Sequence, residues 1–139
     1  MRPGSIAEIA ERASAAAGAF DRAVREFLDA WQAVPPNARE AALEREPARI
    51  GRVYDAYLAA LAEHLALESR MSAPPWTEQP QRFLTEPFFA GGLESMKALL
   101  LVESPLAFRR RLIFISADAL SRPHRGPDGD DAPIAALDA

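Results

Sequence analysis

The chain has 139 residues and a mass of 15.2 kDa, the size of one domain built around a single core. Apolar residues make up 49% of the sequence and charged residues 26%, which is typical of a globular protein and excludes a chain that is mostly disordered. No apolar run approaches the roughly 20 residues that a membrane helix needs, and the absence of cysteine excludes disulfides and thiolate metal sites.

Charge and the first residues bear on partners and location. A net charge of -4 and a pI near 5.2 argue against general affinity for the nucleic-acid backbone, which calls for a basic surface. The N-terminus lacks the basic and then apolar pattern of a signal peptide. We therefore expect a cytoplasmic protein that does not bind a membrane.

The first predicted helix is long and amphipathic. Ser5 followed by Glu8 has the spacing of a capping box, which marks a helix start. Over residues 6–34 apolar side chains recur in alternating steps of three and four, which places them on one helix face. The helix, about 28 residues long, ends at the proline pair 35–36. Its repeat also suits a coiled coil, so we expect a homodimer through this helix as one option, although Gly18 weakens the middle.

Two further helices follow in the sequence. Asn37 with Glu40 repeats the capping spacing and opens a short helix that Pro47 either interrupts or restarts. The next helix runs to about Arg70 and carries one stripe of large apolar residues and a narrower stripe of alanines. Two apolar stripes require two neighbours, so we expect this helix at the centre of the fold.

Residues 71–92 form a segment rich in proline and aromatic residues, here called the crossing segment. Its four prolines and two glycines exclude a continuous helix. Its aromatic side chains supply apolar area that a solvated loop would not keep. We therefore expect an ordered segment that is pinned across the helices by Trp76, Phe83, Phe88 and Phe89.

The next part of the chain combines short helices with an extended piece. A helix over about 93–103 is apolar on nearly every side, which predicts that it is buried. Ser104 and Pro105 then predict the start of a short helix through Arg111. Residues 112–115 have the composition of a strand without an obvious partner. They either pack as an extended core segment or pair with an edge elsewhere.

Together these elements predict an all-α protein. The expected architecture is an irregular helical bundle with a long N-terminal amphipathic helix, the ordered crossing segment and a short C-terminal extended piece. Residues 1–121 are expected to form a single helical domain. Residues 122–139 are rich in proline, glycine and aspartate, which predicts a flexible acidic tail.

Most residue patterns that support catalysis are missing. His64 and His124 are the two histidines, and neither stands in a metal-binding spacing. We interpret His64 as a surface histidine or one with a local partner. No nucleophile elbow occurs, and Gly91-Gly92 is interpreted as a flexible entry to a helix and not as a phosphate loop. The sequence therefore predicts no enzyme, no catalytic residue, no metal and no cofactor.

Three consecutive arginines, Arg109, Arg110 and Arg111, lie in a predicted helix. Three such positions cover about 200 degrees of arc, so at least two of these side chains must face solvent or a partner. One interpretation is a solvated helix C-terminus, where positive charge is favourable. The other is a cluster that binds carboxylates or phosphates of a partner through paired hydrogen bonds.

Five short blocks occur together in the middle of the chain: YLAALAEHLA at 57–66, APPW at 73–76, PQRFL at 80–84, PFF at 87–89 and ESPLAFRRR at 103–111. In this combination the chain resembles a family of small helical proteins of actinobacterial type. These are similar to the antitoxin or companion halves of two-gene modules whose other half is a nucleotidyltransferase-like protein. The resemblance covers roughly residues 23–120.

This resemblance implies a non-enzymatic protein that neutralises or accompanies a nucleotidyltransferase-like toxin encoded nearby. The expected partner contacts are the arginine cluster and two residues of the crossing segment: Arg109, Arg110, Arg111, Trp76 and Arg82. Some family members carry an N-terminal helix-turn-helix, and the single long helix predicted here departs from that pattern, which argues against direct DNA binding. Two alternatives remain: a DNA-associated autoregulator that dimerises through the first helix, and an interaction subunit of another assembly.

Overall fold

The structure is a computed structural model that describes residues 2–90, 97–116 and 119–120. Over these residues the predicted fold class is confirmed, because the chain is an irregular bundle of α-helices with one very small sheet. No helix in these ranges is both long and apolar enough to cross a membrane. The predicted acidic tail, residues 122–139, and the expected helix start at Leu93 lie outside the described residues.

The elements follow one another in a simple order along the chain. The helices are α1 (Ile6–Ala15), α2 (Phe20–Trp31), α3 (Pro36–Glu44), α4 (Arg52–Glu68), α5 (Lys97–Glu103) and α6 (Leu106–Arg109). The strands are β1 (Phe88–Phe89) and β2 (Ile113–Phe114), and two short 3-10 helices cover Pro75–Glu78 and Pro80–Arg82.

The expectation of one long N-terminal helix is wrong, because the chain breaks between α1 and α2. Ala16 is extended, with φ -148° and ψ 131°, and Gly18 has a φ of +73°. A left-handed residue ends a helix at little cost when it is glycine. The two helices then pack against each other, and their apolar stripes face the same core.

This break also removes the surface on which a coiled-coil homodimer was expected. The stripe residues are 0% to 1% exposed within the single chain: Ile6, Ile9, Phe20, Val24 and Phe27. A partner helix could reach them only if α1 and α2 left their own core, which would expose that apolar area to water. The N-terminal stripe therefore stabilises the monomer fold in this structure.

The start of α1 is where the capping spacing placed it, although the bonds differ. Ser5 is the N-cap residue, but its side chain makes no capping hydrogen bond. The Glu8 carboxylate accepts a hydrogen bond from the Gly4 amide at 3.1 Å, one residue before the expected donor. The sequence spacing thus predicts the start of the helix correctly and its capping hydrogen bonds wrongly.

Helix α4 lies at the centre of the bundle, as its two stripes predict. Every residue from Ala56 to Ala62 is 0% exposed. The helix contacts α3, α6 and both 3-10 helices, so it is covered on several sides. A helix that is apolar on nearly all faces is stable in water only in such a position.

The described part of the crossing segment, residues 71–90, is ordered across these helices. Trp76 is its main anchor, with 6% of its surface exposed and its indole N–H donating to the Leu43 carbonyl at 3.0 Å. The other predicted anchors, Phe83, Phe88 and Phe89, are half-buried. One large buried ring therefore fixes the segment, and the phenylalanines support it from the edge.

The strand-like residues 112–115 find their partner inside the same chain. β2 pairs in parallel with β1, with Phe88 opposite Ile113 and Phe89 opposite Phe114. Of the two options for residues 112–115, pairing with a strand edge is therefore the one observed, and the crossing segment supplies that edge. Only two residues of β1 pair, which is too short for a strand pattern to be seen in the sequence.

The expectation of a buried helix before Glu103 is wrong for most of the apolar residues that the structure describes there. Leu100 is 4% exposed, whereas Leu99, Leu101 and Val102 are 45%, 46% and 76% exposed. Among the described elements, β2 makes the main contact with α5. A helix that packs on one side can bury only one face of a continuous apolar run.

Candidate functional site

The three arginines at the end of α6 lie in three different environments. Arg109 is exposed, the side chain of Arg110 is 35% exposed, and that of Arg111 is 0% exposed. Two of the three therefore face outward. The third is turned into the fold, so the cluster is not a single binding surface. The expected helix through Arg111 is shorter in the structure, because α6 ends at Arg109 and Arg110 and Arg111 lie in the turn that follows.

Arg111 is enclosed by groups of its own chain. Its Nη1 donates to the Glu63 carboxylate at 2.6 Å and to the Ala107 carbonyl at 2.8 Å, and its Nη2 donates to the Thr77 carbonyl at 2.8 Å. Its guanidinium lies 4.4 Å from the centre of the Phe83 ring. Burial lowers the pKa of Arg111, and the hydrogen bond to Glu63 opposes that shift.

Arg110 joins the same carboxylate to the crossing segment. Its Nη1 lies 2.7 Å from both oxygens of Glu63, and its Nη2 donates to Glu78 at 3.0 Å. The hydrogen bond from Arg110 lowers the pKa of the Glu78 carboxyl. We call Glu63, Glu78, Arg110 and Arg111 the Glu63 cluster. It has two positive and two negative charges, and it ties α4, α6 and the crossing segment together.

A second buried arginine, Arg82, is also held by its own chain. Its side chain is 0% exposed, and its Nη2 donates to the Pro47 carbonyl at 2.7 Å and to Glu46 at 3.1 Å. The guanidinium stacks on Trp76 with 5.0 Å to the ring centre. Such stacking on a buried indole adds a cation–π attraction to the hydrogen bonds.

These positions correct part of the predicted site. Trp76, Arg82 and Arg111 are closed to a partner, because almost none of their surface is exposed, and the Trp76 indole and the Nη groups of both arginines are hydrogen-bonded within the chain. They are structural residues in this fold. Of the predicted contacts, Arg109 is freely accessible and Arg110 partly so.

The consecutive helices α5 and α6, which end at Arg109, carry exposed apolar side chains that the sequence did not predict. These side chains retain large exposed areas: Leu99 45%, Leu101 46%, Val102 76% and Leu106 57%. Leu99 and Val102 are three residues apart on α5, and Leu106 and Arg109 are three apart on α6, so each pair lies on one helix face. We call these five residues the α5–α6 face.

The α5–α6 face combines apolar area with one positive charge. Arg109 forms no ion pair with any residue that the structure describes. Arg109 lies one turn after the exposed Leu106 on α6. Exposed apolar residues grouped around an arginine are typical of protein-binding surfaces.

His64 lies mostly buried beside a carboxylate, which is the environment of a histidine with a local partner. Its side chain is 19% exposed, and its Nε2 lies 3.5 Å from Glu68. Burial lowers the pKa of His64, with an opposing influence from Glu68, so the ring is neutral at pH 7. Within the described ranges, histidine and carboxylate side chains do not gather into a group of three or more that could hold a metal ion.

Comparison with protein-family models, with curated proteins and with solved structures finds no match to this chain. The resemblance to antitoxin-like companion proteins therefore stays a prediction.

Proposed function

We propose that this chain is a non-enzymatic, cytoplasmic binding protein that neutralises or accompanies a nucleotidyltransferase-like protein encoded nearby. The α5–α6 face is the contact surface in this proposal. The observation that supports it best is the exposure of four large apolar side chains on two adjacent short helices. A monomer gains stability by covering such residues, and a binding protein needs them exposed.

The size of the apolar contribution is sufficient for recognition. Full burial of one leucine or valine contributes about 1.5 to 3 kcal/mol, and these side chains still expose roughly half of their area or more. Covering all four would therefore contribute several kcal/mol before the cost of association is subtracted. Arg109 at the border adds specificity for a partner that places a carboxylate opposite it.

The Glu63 cluster supports this surface without touching the partner. Arg110 and Arg111 immediately follow α6 and are bonded to Glu63 of α4. Their bonds fix a helix of only four residues that would not be stable alone. In this proposal the cluster presents Leu106 and Arg109 in a fixed orientation, which lowers the entropic cost of binding.

The test is co-expression of the chain with the product of the neighbouring gene, followed by affinity purification and titration calorimetry. We expect a stoichiometric complex with the wild-type chain. The double variant Val102→Asp/Leu106→Asp should weaken it by roughly a hundredfold, because two charges would enter an apolar interface. The control is Ala41→Asp, which adds a negative charge at an exposed position on α3.

The possible outcomes of this experiment separate the proposed function from its alternatives. No complex between the wild-type chain and the neighbouring product would overturn the proposed function. A complex that the double variant leaves unchanged would keep the partner and remove the α5–α6 face as its site. Retention of the chain on DNA at physiological salt, with no protein partner, would favour the DNA-associated autoregulator.

A further inference from the structure

A depression of about 450 Å³ lies where the turn between α1 and α2 meets the extended residues before α4. Phe20, Ile50 and Tyr54 supply its larger apolar side chains, and Arg49 supplies its charge among the described residues that line it. A volume of a few hundred Å³ that combines apolar surface with polar groups and a charge is in the range of small-molecule sites. The depression has no part in the proposed protein contact.

Gly18 forms the open side of the depression. It has a positive φ, and a Cβ added to it would meet no atom within 4 Å, so the space above the turn is open. The rings of Phe20 and Tyr54 contact each other with 4.7 Å between their centres. The floor is therefore a packed aromatic pair.

The charged side chain among the described residues that line the depression is Arg49, and the nearby Asp55 carboxylate accepts hydrogen bonds from the Ile50 and Gly51 amides. Arg49 is exposed and forms no ion pair with any described residue. Asp21 follows Phe20 in the chain but does not line the depression. In the interior, burial raises the pKa of Tyr57, and the negative charge of Asp21 adds to this shift. An anion in the depression would thus face Arg49 and the N-terminus of α2.

We propose that this depression binds a small carboxylic acid with a flat, aromatic body. The body would lie against Ile50 and Tyr54, with the buried Phe20 ring beneath them, and the carboxylate would accept hydrogen bonds from the Arg49 guanidinium. A neutral compound of the same shape lacks the ionic contact, and an aliphatic anion lacks the ring contact. Because the site is open to solvent, the expected dissociation constant is on the order of 1 mM.

The test is an NMR titration of the full-length, isotope-labelled protein with phenylacetate, and in parallel with its neutral analogue phenylacetamide. We expect saturable shifts confined to the amides around Gly18, Phe20 and Ile50. Phenylacetamide should bind about fivefold more weakly, since an exposed charge pair has a modest effect. No saturable shifts with phenylacetate would overturn the proposal, and equal binding of the two compounds would overturn the assignment to a carboxylic acid.

A pair of matched variants tests the role of Arg49. Arg49→Gln should reduce the affinity for phenylacetate to about that of phenylacetamide for the wild type. Arg52→Gln is the control, because Arg52 is also exposed and lies at the start of α4 outside the lining. Equal affinities of the Arg49→Gln variant and the wild type, or an equal loss in both variants, would contradict a specific contact with Arg49.

Discussion

The Glu63 cluster and the α5–α6 face reverse the usual positions of polar and apolar residues. In the cluster, Arg111 is 0% exposed and Glu63 is 7% exposed, whereas a few residues away Val102 is 76% exposed and Leu106 is 57% exposed. Residue type alone therefore does not decide burial. Arg111 is inside because a carboxylate and two carbonyls accept hydrogen bonds from its two Nη groups, and Val102 is outside because the described elements leave it uncovered.

The two regions should also differ in what they contribute. A buried ion pair is costly to break, because removal of one partner leaves the other charge without compensation in the interior. An exposed apolar side chain contributes little to the stability of the free protein. Substitutions in the Glu63 cluster should therefore change the stability of the fold, and substitutions in the α5–α6 face should change binding.

The largest difference is expected between Arg111→Ala and Arg109→Ala. Arg111→Ala leaves Glu63 buried with one partner fewer and should lower the free energy of unfolding by about 3 to 5 kcal/mol. Arg109→Ala should change it by no more than about 0.5 kcal/mol, because that side chain is exposed. Urea denaturation followed by circular dichroism measures both. Equal effects in the two variants would contradict the division between cluster and face.

The next effect concerns the anchor of the crossing segment. Trp76→Ala should lower the free energy of unfolding by about 3 kcal/mol or more, as for other large buried side chains. Trp76→Phe keeps a ring under Arg82 and removes the hydrogen bond to Leu43, so its loss should be nearer 1 kcal/mol. A loss under about 1 kcal/mol for the alanine variant would show that the crossing segment is held by other contacts.

The smallest effect should appear on acidification. Because the hydrogen bond from Arg110 lowers the pKa of Glu78, the folded chain binds this proton less tightly than the unfolded chain. The contribution of Glu78 to stability is complete above the pKa of this carboxyl in the unfolded chain, and it is lost as the pH falls through its lower pKa in the folded chain. Glu78→Gln should therefore cost under about 1 kcal/mol at neutral pH, given its exposure, and this difference should disappear in acid. The exposed Glu86→Gln is the control, and an identical pH profile in both variants would count against the contact.

Helix content and the central helix could be predicted from local patterns. The double stripe of α4 predicts burial on two sides, and the structure places that helix at the centre. The break at Gly18 was missed because the apolar steps of three and four continue in phase from Ala13 through Ala16 to Phe20. Periodicity reports which face is apolar, and it does not report whether the backbone is continuous.

The burial of Arg111 could not be predicted from its neighbours in the sequence. Its carboxylate partner, Glu63, lies 48 positions earlier, and the Thr77 carbonyl lies 34 positions earlier. Such long-range partners are visible only after folding. The exposure of Val102 is not visible in the sequence for a related reason, since a continuous apolar run does not show how many neighbours are available to cover it. A short helix with a single neighbour can bury only one of its faces.

The central claim is that Arg109 belongs to a binding surface while Arg111 belongs to the interior. Its most direct test is the affinity of Arg109→Ala for the product of the neighbouring gene, measured by titration calorimetry beside wild type and Arg22→Ala, an exposed arginine on α2. We predict a loss of about tenfold or more for Arg109→Ala, corresponding to about 1.4 kcal/mol, and no loss for Arg22→Ala. An intact complex with unchanged affinity for Arg109→Ala would contradict the claim.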